Sequence, residues 1–259
     1  MKPYAKKRYG QNFLIDPNIL RKIYHTINPQ KNEIIVEIGP GKGALTQYLA
    51  ESEAAIHAIE IDADLIPGLK LKFGKYSNIV IHHQDALNFD YRSLLIDSNQ
   101  LRIVGNIPYN ITSPLLFTMF DNIEIIADIH FLVQREIARR ICANPNTKEY
   151  GILSVLSQSY GNPKIEFDVS PKVFRPIPEV TSTMLSIIFK KSDYSSEFKE
   201  NFHTTVRTAF AKRRKTLKNT LTELIPENRM NCPIDLSRRA ESLTVSDFIL
   251  LTQWLFNKT

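Results

Sequence analysis

Along the first 190 residues, short apolar runs alternate with amphipathic stretches. Runs rich in β-branched residues predict strands at 33–39, 55–61, 79–83, 101–108, 128–134, 164–169 and 183–189. Apolar positions at helical spacing predict helices near 17–27, 43–52, 62–73, 113–120, 135–143 and 151–160. Near-continuous apolar strands separated by helices imply a sheet buried on both faces. The expected architecture is therefore α/β: a doubly wound, mostly parallel, seven-stranded Rossmann-like sheet, with its ligand site at the carboxyl ends of the strands. The pattern changes at the polar, serine-rich stretch 190–196, after which it reads helical at 198–224, 237–240 and 246–256. Phe202, Val206, Phe210, Leu217 and Leu221 form one apolar stripe there, and Thr244 or Ser246 before Asp247 suits an N-cap. This divides the chain into an α/β domain at 1–191 and a small all-helical domain at 192–259.

Composition narrows the class. The chain has 259 residues, 43% hydrophobic and 23% charged, as in ordinary globular proteins. No apolar run approaches the ~20 residues of a membrane helix, and the basic N-terminus lacks the apolar segment of a secretory signal. Both point to the cytoplasm. Cys142 and Cys232 lie far apart, and the six histidines are scattered, so neither a disulfide framework nor a metal site is expected. The net charge of +6 is unevenly spread. Lys6, Lys7 and Arg8 sit in an acid-free N-terminal stretch, and Arg207, Lys212, Arg213, Arg214, Lys215 and Lys218 crowd a second one. Such concentration suits a surface that tracks nucleic-acid phosphates.

Four strand ends carry candidate chemistry. The first predicted strand runs into Glu37-Ile38-Gly39-Pro40-Gly41-Lys42-Gly43-Ala44, where Gly39 and Gly41 let backbone approach a ligand before a helix begins. Gly39, Gly41 and Ala44 also satisfy the dinucleotide fingerprint, and Glu60, with Ile61 beside it, ends the second strand where a carboxylate accepts from ribose hydroxyls. A nicotinamide-dependent oxidoreductase is thus one reading. Glu37 favours another, because an acid before the first glycine suits a ligand with a cationic amino group, such as the methionine part of S-adenosylmethionine. Asp85 and the backbone of Ala86 follow the third strand, where they suit an adenine amino group. Asn106-Ile107-Pro108-Tyr109 ends the fourth. It joins a carboxamide oxygen, carbonyls directed by Pro108 and an aromatic face, the partners required by an exocyclic amine on a stacked base. This is a signature of amino-methyltransferases acting on nucleic acid. The proline-rich loop 171–182 carries Phe174, which is expected to cover the second face of such a base.

Gly10–Leu14, Glu37–Thr46, Glu60, Asp85, Asn106–Leu116, Phe131–Ile141 and Phe174–Ser182 stand in the order seen in ribosomal RNA adenine dimethyltransferases, which this chain resembles over nearly its whole length. Pro114 and the segment 207–217 resemble the housekeeping bacterial branch of that family rather than its macrolide-resistance branch. The resemblance implies a class I fold dependent on S-adenosylmethionine. It implies dimethylation of N6 on two adjacent adenosines near the 3′ end of 16S rRNA in the 30S subunit, as a contribution to small-subunit biogenesis; nothing in the sequence suggests an obligate dimer, and a monomer is expected. It carries cofactor contacts to Asn12, Leu14, Gly39, Glu60, Asp85 and Asn106. A methyltransferase acting on large-subunit rRNA and a non-catalytic assembly factor are the alternatives.

Overall fold

A computed structural model describes residues 10–95, 100–191, 194–225 and 231–256. Its elements, in chain order, are β1 (Phe13–Leu14), α1 (Pro17–Ile27), β2 (Ile34–Ile38), α2 (Ala44–Leu49), β3 (Ala55–Glu60), α3 (Ile66–Phe73), β4 (Ile79–His83), β5 (Leu101–Asn106), α4 (Thr112–Asp121), β6 (Ile126–Gln134), α5 (Arg135–Ile141), α6 (Ile152–Tyr160), β7 (Gly161–Val169), β8 (Phe174–Arg175), β9 (Ser182–Phe189), α7 (Ser196–Phe210), α8 (Leu217–Thr220) and α9 (Val245–Phe256). Local chemistry explains several boundaries. Asp16 caps α1 by accepting from the Asn18 and Ile19 N–H groups, with Pro17 pre-set for the first turn. Thr244 and Asp247 cap α9 reciprocally, as their spacing predicts.

Seven strands form one sheet in the order β4-β3-β2-β5-β6-β9-β7. The run from β4 to β6 is parallel, and β9 is antiparallel to β6. Strand order reverses between β2 and β5, so their carboxyl ends diverge there and open a crevice. Every residue of β2 is buried, as expected of an interior strand covered on both faces. β1 and β8 make a separate two-stranded ribbon that pairs Leu14 with Phe174.

The chain folds as two compact units, Met1–Ala138 with Asn162–Lys190, and Arg139–Gly161 with Lys191–Thr259. The second therefore includes Arg139–Gly161, which the sequence pattern assigns to the first. The reason is packing: Val155, Leu156 and Tyr160 of α6 are buried, and the Tyr160 hydroxyl lies 2.7 Å from His203 Nε2 on α7. The helix predicted over 198–224 is broken. α7 stops at Phe210, a turn occupies 211–215, and Thr216 adopts an extended conformation before α8. Phe202, Val206, Leu217 and Leu221 are nonetheless buried, so both helices contribute to the apolar stripe.

Candidate active site

The first wall of the crevice is the loop after β2. Gly41 has φ +60°, and its N–H donates to Glu60 Oε2 at 3.1 Å. A side chain there would need both a left-handed backbone and space now filled by the Phe13 ring, 3.0 Å from an added Cβ. The other Glu60 oxygen accepts from the Asp62 N–H at 2.9 Å. Burial pushes the Glu60 carboxyl above its ordinary pKa in spite of these bonds. Glu37 lies deeper, 2% exposed, and accepts from the Thr46 hydroxyl at 2.6 Å. Burial, reinforced by the nearby Glu60 charge, pushes its carboxyl up to about 7.

The opposite wall is the end of β5. A Cβ at Gly105 would come within 2.4 Å of the Ile38 carbonyl oxygen, so the glycine permits the close approach of β5 to β2. Asn106 follows at once. Its Nδ2 donates to the Asn12 carbonyl at 2.7 Å. A carbonyl only accepts, so this bond fixes which way the carboxamide points and leaves Oδ1 as an acceptor facing elsewhere. The Pro108 carbonyl accepts from the Ile111 N–H at 3.1 Å and from the Thr112 hydroxyl at 3.4 Å, which closes the turn. Tyr109 is half-buried, with its hydroxyl 2.8 Å from Ser182 Oγ at the start of β9. Burial raises the Tyr109 pKa, so the phenol is neutral at physiological pH.

Between these walls lies a cleft of about 490 Å³. Asn12, Leu14, Glu37, Gly39, Gly41, Glu60, Ile61, Asp85, Ala86, Asn106, Pro108 and Tyr109 all line it. Asp85 Oδ1 accepts from the Leu87 N–H at 3.0 Å, and the Tyr91 hydroxyl donates to the Ala86 carbonyl at 2.8 Å, which fixes the segment after β4. The N-terminal segment is tied across the cleft: Gln11 Nε2 donates to buried Asp62 at 3.0 Å while the Asn12 carbonyl holds Asn106. Neither Asp62 nor Ser182 stands out in the sequence. Their roles rest on contacts 51 and 73 residues away.

Phe174 departs from expectation. It is fully buried, outside the cleft lining, packed in a core cluster with Leu14, Val169 and Met184. Alternation in the β1–β8 ribbon turns Leu14 and Phe174 inward together, so the ring has no open face on which to stack a base.

In the helical unit, Arg207, Lys212, Arg213, Arg214, Lys215 and Lys218 are all exposed. Arg213 is engaged with protein: Nε lies 3.1 Å from Glu241, and Nη2 donates to the Lys148 carbonyl. Lys6, Lys7 and Arg8 lie outside the described residues. Among the described residues, no group of three or more His, Cys, Asp or Glu side chains could hold a metal ion, and no helix is long and apolar enough to cross a membrane.

A seven-stranded sheet with acids at the ends of β2 and β3 and an Asn-x-Pro-Tyr turn after β5 has the build of a methyltransferase acting on an amino group. The family model for ribosomal RNA adenine dimethylase matches residues 3–257, and the chain belongs to that family. It is 42% identical over 254 residues to the ribosomal RNA small subunit methyltransferase A of Saccharophagus degradans, covering 97% of this chain and 95% of that protein. Its fold matches the crystal structure of a dimethyladenosine transferase from Plasmodium falciparum with TM-score 0.79 and 25% identity, over 92% of this chain and 95% of that one. It also matches the 23S rRNA methyltransferase ErmE with TM-score 0.70 at 23% identity, over 94% and 99% of the two chains. That second likeness extends to the fold alone.

Proposed function

We propose that this protein transfers methyl groups from S-adenosylmethionine to N6 of two adjacent adenosines near the 3′ end of 16S rRNA in the 30S subunit. Each receives two methyls, and the protein acts as a cytoplasmic monomer in small-subunit biogenesis. The observation that carries the reading is the Asn106 carboxamide, held through Nδ2 so that Oδ1 is presented as an acceptor.

The cleft suits the donor. A buried carboxyl held near neutrality at Glu37 is relieved by a cationic amino group, and Glu60 and Asp85 retain lone pairs for hydroxyl and amino donors. Asn12, Leu14, Ile61 and Ala86 enclose the adenosyl part, while Gly39 and Gly41 admit the methionine tail. The cofactor supplies an electrophilic methyl on a sulfonium centre.

The chain's own task is to make a poor nucleophile good. The adenine N6 lone pair is delocalised into the ring. Hydrogen bonds from N6 to Asn106 Oδ1 and to a main-chain carbonyl at Ile107–Pro108 favour a pyramidal nitrogen whose lone pair is localised. Tyr109, steadied by Ser182, stacks one face of the extruded base and offsets part of its unstacking cost. Catalysis is then mainly proximity and orientation. The N-terminal Lys6, Lys7 and Arg8, with Arg207, Lys212, Arg213, Arg214, Lys215 and Lys218, grip RNA phosphates.

The test supplies labelled S-adenosylmethionine with unmethylated 30S particles or large-subunit RNA. Dimethyladenosine confined to the small-subunit RNA is the expected result. Label in large-subunit RNA contradicts the substrate assignment, and binding to 30S without label leaves an assembly factor.

A further inference from the structure

Three carboxylates face the cleft, Glu37, Glu60 and Asp85, and among its described lining residues Lys42 is the one cation. S-adenosylmethionine is an α-amino acid at one end, so an ammonium and a carboxylate hang from the same carbon. Glu37 meets the first of these. The second must then enter a cleft walled by acids, where an unpartnered carboxylate is repelled.

Main-chain amides of a glycine-rich loop commonly hold an anion. In this loop the glycine amides are taken. The Gly39 N–H donates to the Ile59 carbonyl at 2.9 Å, the Gly41 N–H to Glu60 at 3.1 Å, and the Gly43 N–H to the Pro40 carbonyl at 2.8 Å. Pro40 has no N–H to give. An anion there calls for a side-chain donor, and two lysines stand near the loop. Lys72, on α3, is tied back to the protein and does not line the cleft: its Nζ donates to the Gly43 carbonyl at 3.1 Å and lies 4.9 Å from the centre of the Phe73 ring. Lys42 is exposed, and its Nζ makes no hydrogen bond or ion pair with any described residue.

The Lys42 ammonium lies 4.8 Å from the centre of the Phe13 ring. A cation held on an aromatic face keeps N–H donors for an anion. The same ring packs over Gly41, where an added Cβ would come within 3.0 Å of it. Phe13 thereby holds the ammonium beside the Gly41 turn, in the loop that follows Glu37.

We propose that Lys42 is a specificity-determining residue for the cofactor: its ammonium pairs with the carboxylate of the methionine part. With Glu37 on the amino group, it makes the cleft select an intact amino acid over an amine alone. The inference rests on S-adenosylmethionine being the ligand of this cleft.

The test measures, by calorimetry on the full-length protein, the affinities of S-adenosylmethionine and of its decarboxylated form. The second ligand keeps the sulfonium, the adenosyl group and the amine, and lacks only the carboxylate. Lys42→Gln is expected to weaken S-adenosylmethionine about fivefold, the upper end for an exposed ion pair, and to change the decarboxylated ligand by less than about twofold. Lys42→Arg should keep the wild-type selectivity, and Lys42→Glu should weaken S-adenosylmethionine further than Lys42→Gln does. Raising the salt should narrow the gap between the ligands in wild type and leave it unchanged in Lys42→Gln. Lys72→Gln should shift both ligands by the same factor, because the Lys72 charge reaches Glu37, which serves both.

Equal losses for the two ligands in Lys42→Gln overturn the assignment. Unchanged affinities for both leave the carboxylate to main-chain amides and overturn it too. A ligand-dependent loss in Lys72→Gln but not in Lys42→Gln moves the carboxylate to Lys72. In these three cases the cofactor reading stands while the proposal falls. Wild type that binds neither ligand overturns the cofactor reading itself, and the proposal with it. Should Lys42→Gln melt early, Lys42→Glu decides in its place: a loss no larger for the intact ligand than for the decarboxylated one overturns the pairing.

Discussion

The two ends of β5 carry polar side chains four residues apart, and the protein treats them in opposite ways. Arg102, near the amino end, is bound on every side. Its Nε lies 3.0 Å and 3.1 Å from the two Asp128 oxygens, Nη1 donates to Glu33 at 2.7 Å, and Nη2 donates to the Ile27 carbonyl at 2.7 Å. Burial alone would weaken the Arg102 charge, but Asp128 and Glu33 outweigh it and raise its pKa. Burial likewise acts to raise the Asp128 carboxyl, yet bonds from His130 and Arg102 hold it below its ordinary value. At the carboxyl end the balance is reversed. Glu37 and Glu60 are both pushed upward by burial, and Asn106 keeps one side of its amide for something else. Polar groups that satisfy one another hold a sheet together. Polar groups buried in a cleft and held away from their resting ionisation are kept for a ligand.

Mutations at the two ends should therefore fail differently. The largest effect belongs to Arg102→Ala, which leaves the partly buried Asp128 and Glu33 carboxylates without their cation and is expected to cost about 3 kcal/mol or more of stability. Chemical denaturation measures this, and methyl transfer by the fraction still folded should be unchanged. The Asp128 contribution carries a pH sign. It is present above the ordinary Asp pKa of 3.8 and is lost as pH falls through the lower folded value, so acid denaturation is steeper in the wild type than in Arg102→Ala.

Glu37 comes next, with the opposite sign. Its folded pKa of about 7 exceeds the ordinary 4.5, so the ligand-free protein loses stability as pH rises between those values. Glu37→Gln should stabilise the ligand-free protein at pH 8 by up to about 3 kcal/mol, with little gain at pH 4.5, as read from urea midpoints. The same variant should bind S-adenosylmethionine more weakly. In the wild type, affinity should rise by up to about tenfold per pH unit below 7 and level off above it, with proton release visible by calorimetry in buffers of different ionisation enthalpy. Flat affinity across that range would detach Glu37 from the cationic end of the ligand.

Ser182→Ala has the smallest expected effect. Losing the bond to Tyr109 removes about 1 kcal/mol of positioning, a roughly fivefold fall in kcat with the KM for S-adenosylmethionine unchanged. Ser182→Thr should restore the rate, which a general packing defect would not allow.

The sheet and most of the cleft were legible because local pattern decides them. β-branched runs mark buried strands, and acids, glycines and Asn106 stand at their carboxyl ends in chain order. What escaped depends on pairings between distant residues. Phe174 looks free in a proline-rich loop until Leu14, 160 positions away, pairs with it. The break at 211–216 has neither glycine nor proline to announce it, and the apolar stripe continues on both sides. Arg213 and Arg214 read alike as sequence, and only Glu241 and the Lys148 carbonyl tell one from the other. The orienting bond on Asn106 comes from a backbone carbonyl, which no side-chain pattern records.

The most direct measurement is single-turnover methyl transfer to small-subunit rRNA by wild type, Asn106→Ala and Arg102→Ala, at a temperature where all three are folded, with cofactor affinity measured on the same samples. The account predicts a roughly 10²–10³-fold loss of rate for Asn106→Ala, with cofactor affinity changed by less than about tenfold, and an unchanged rate for Arg102→Ala. Asn106→Ala within about tenfold of wild type, or an equal loss in Arg102→Ala, would contradict it.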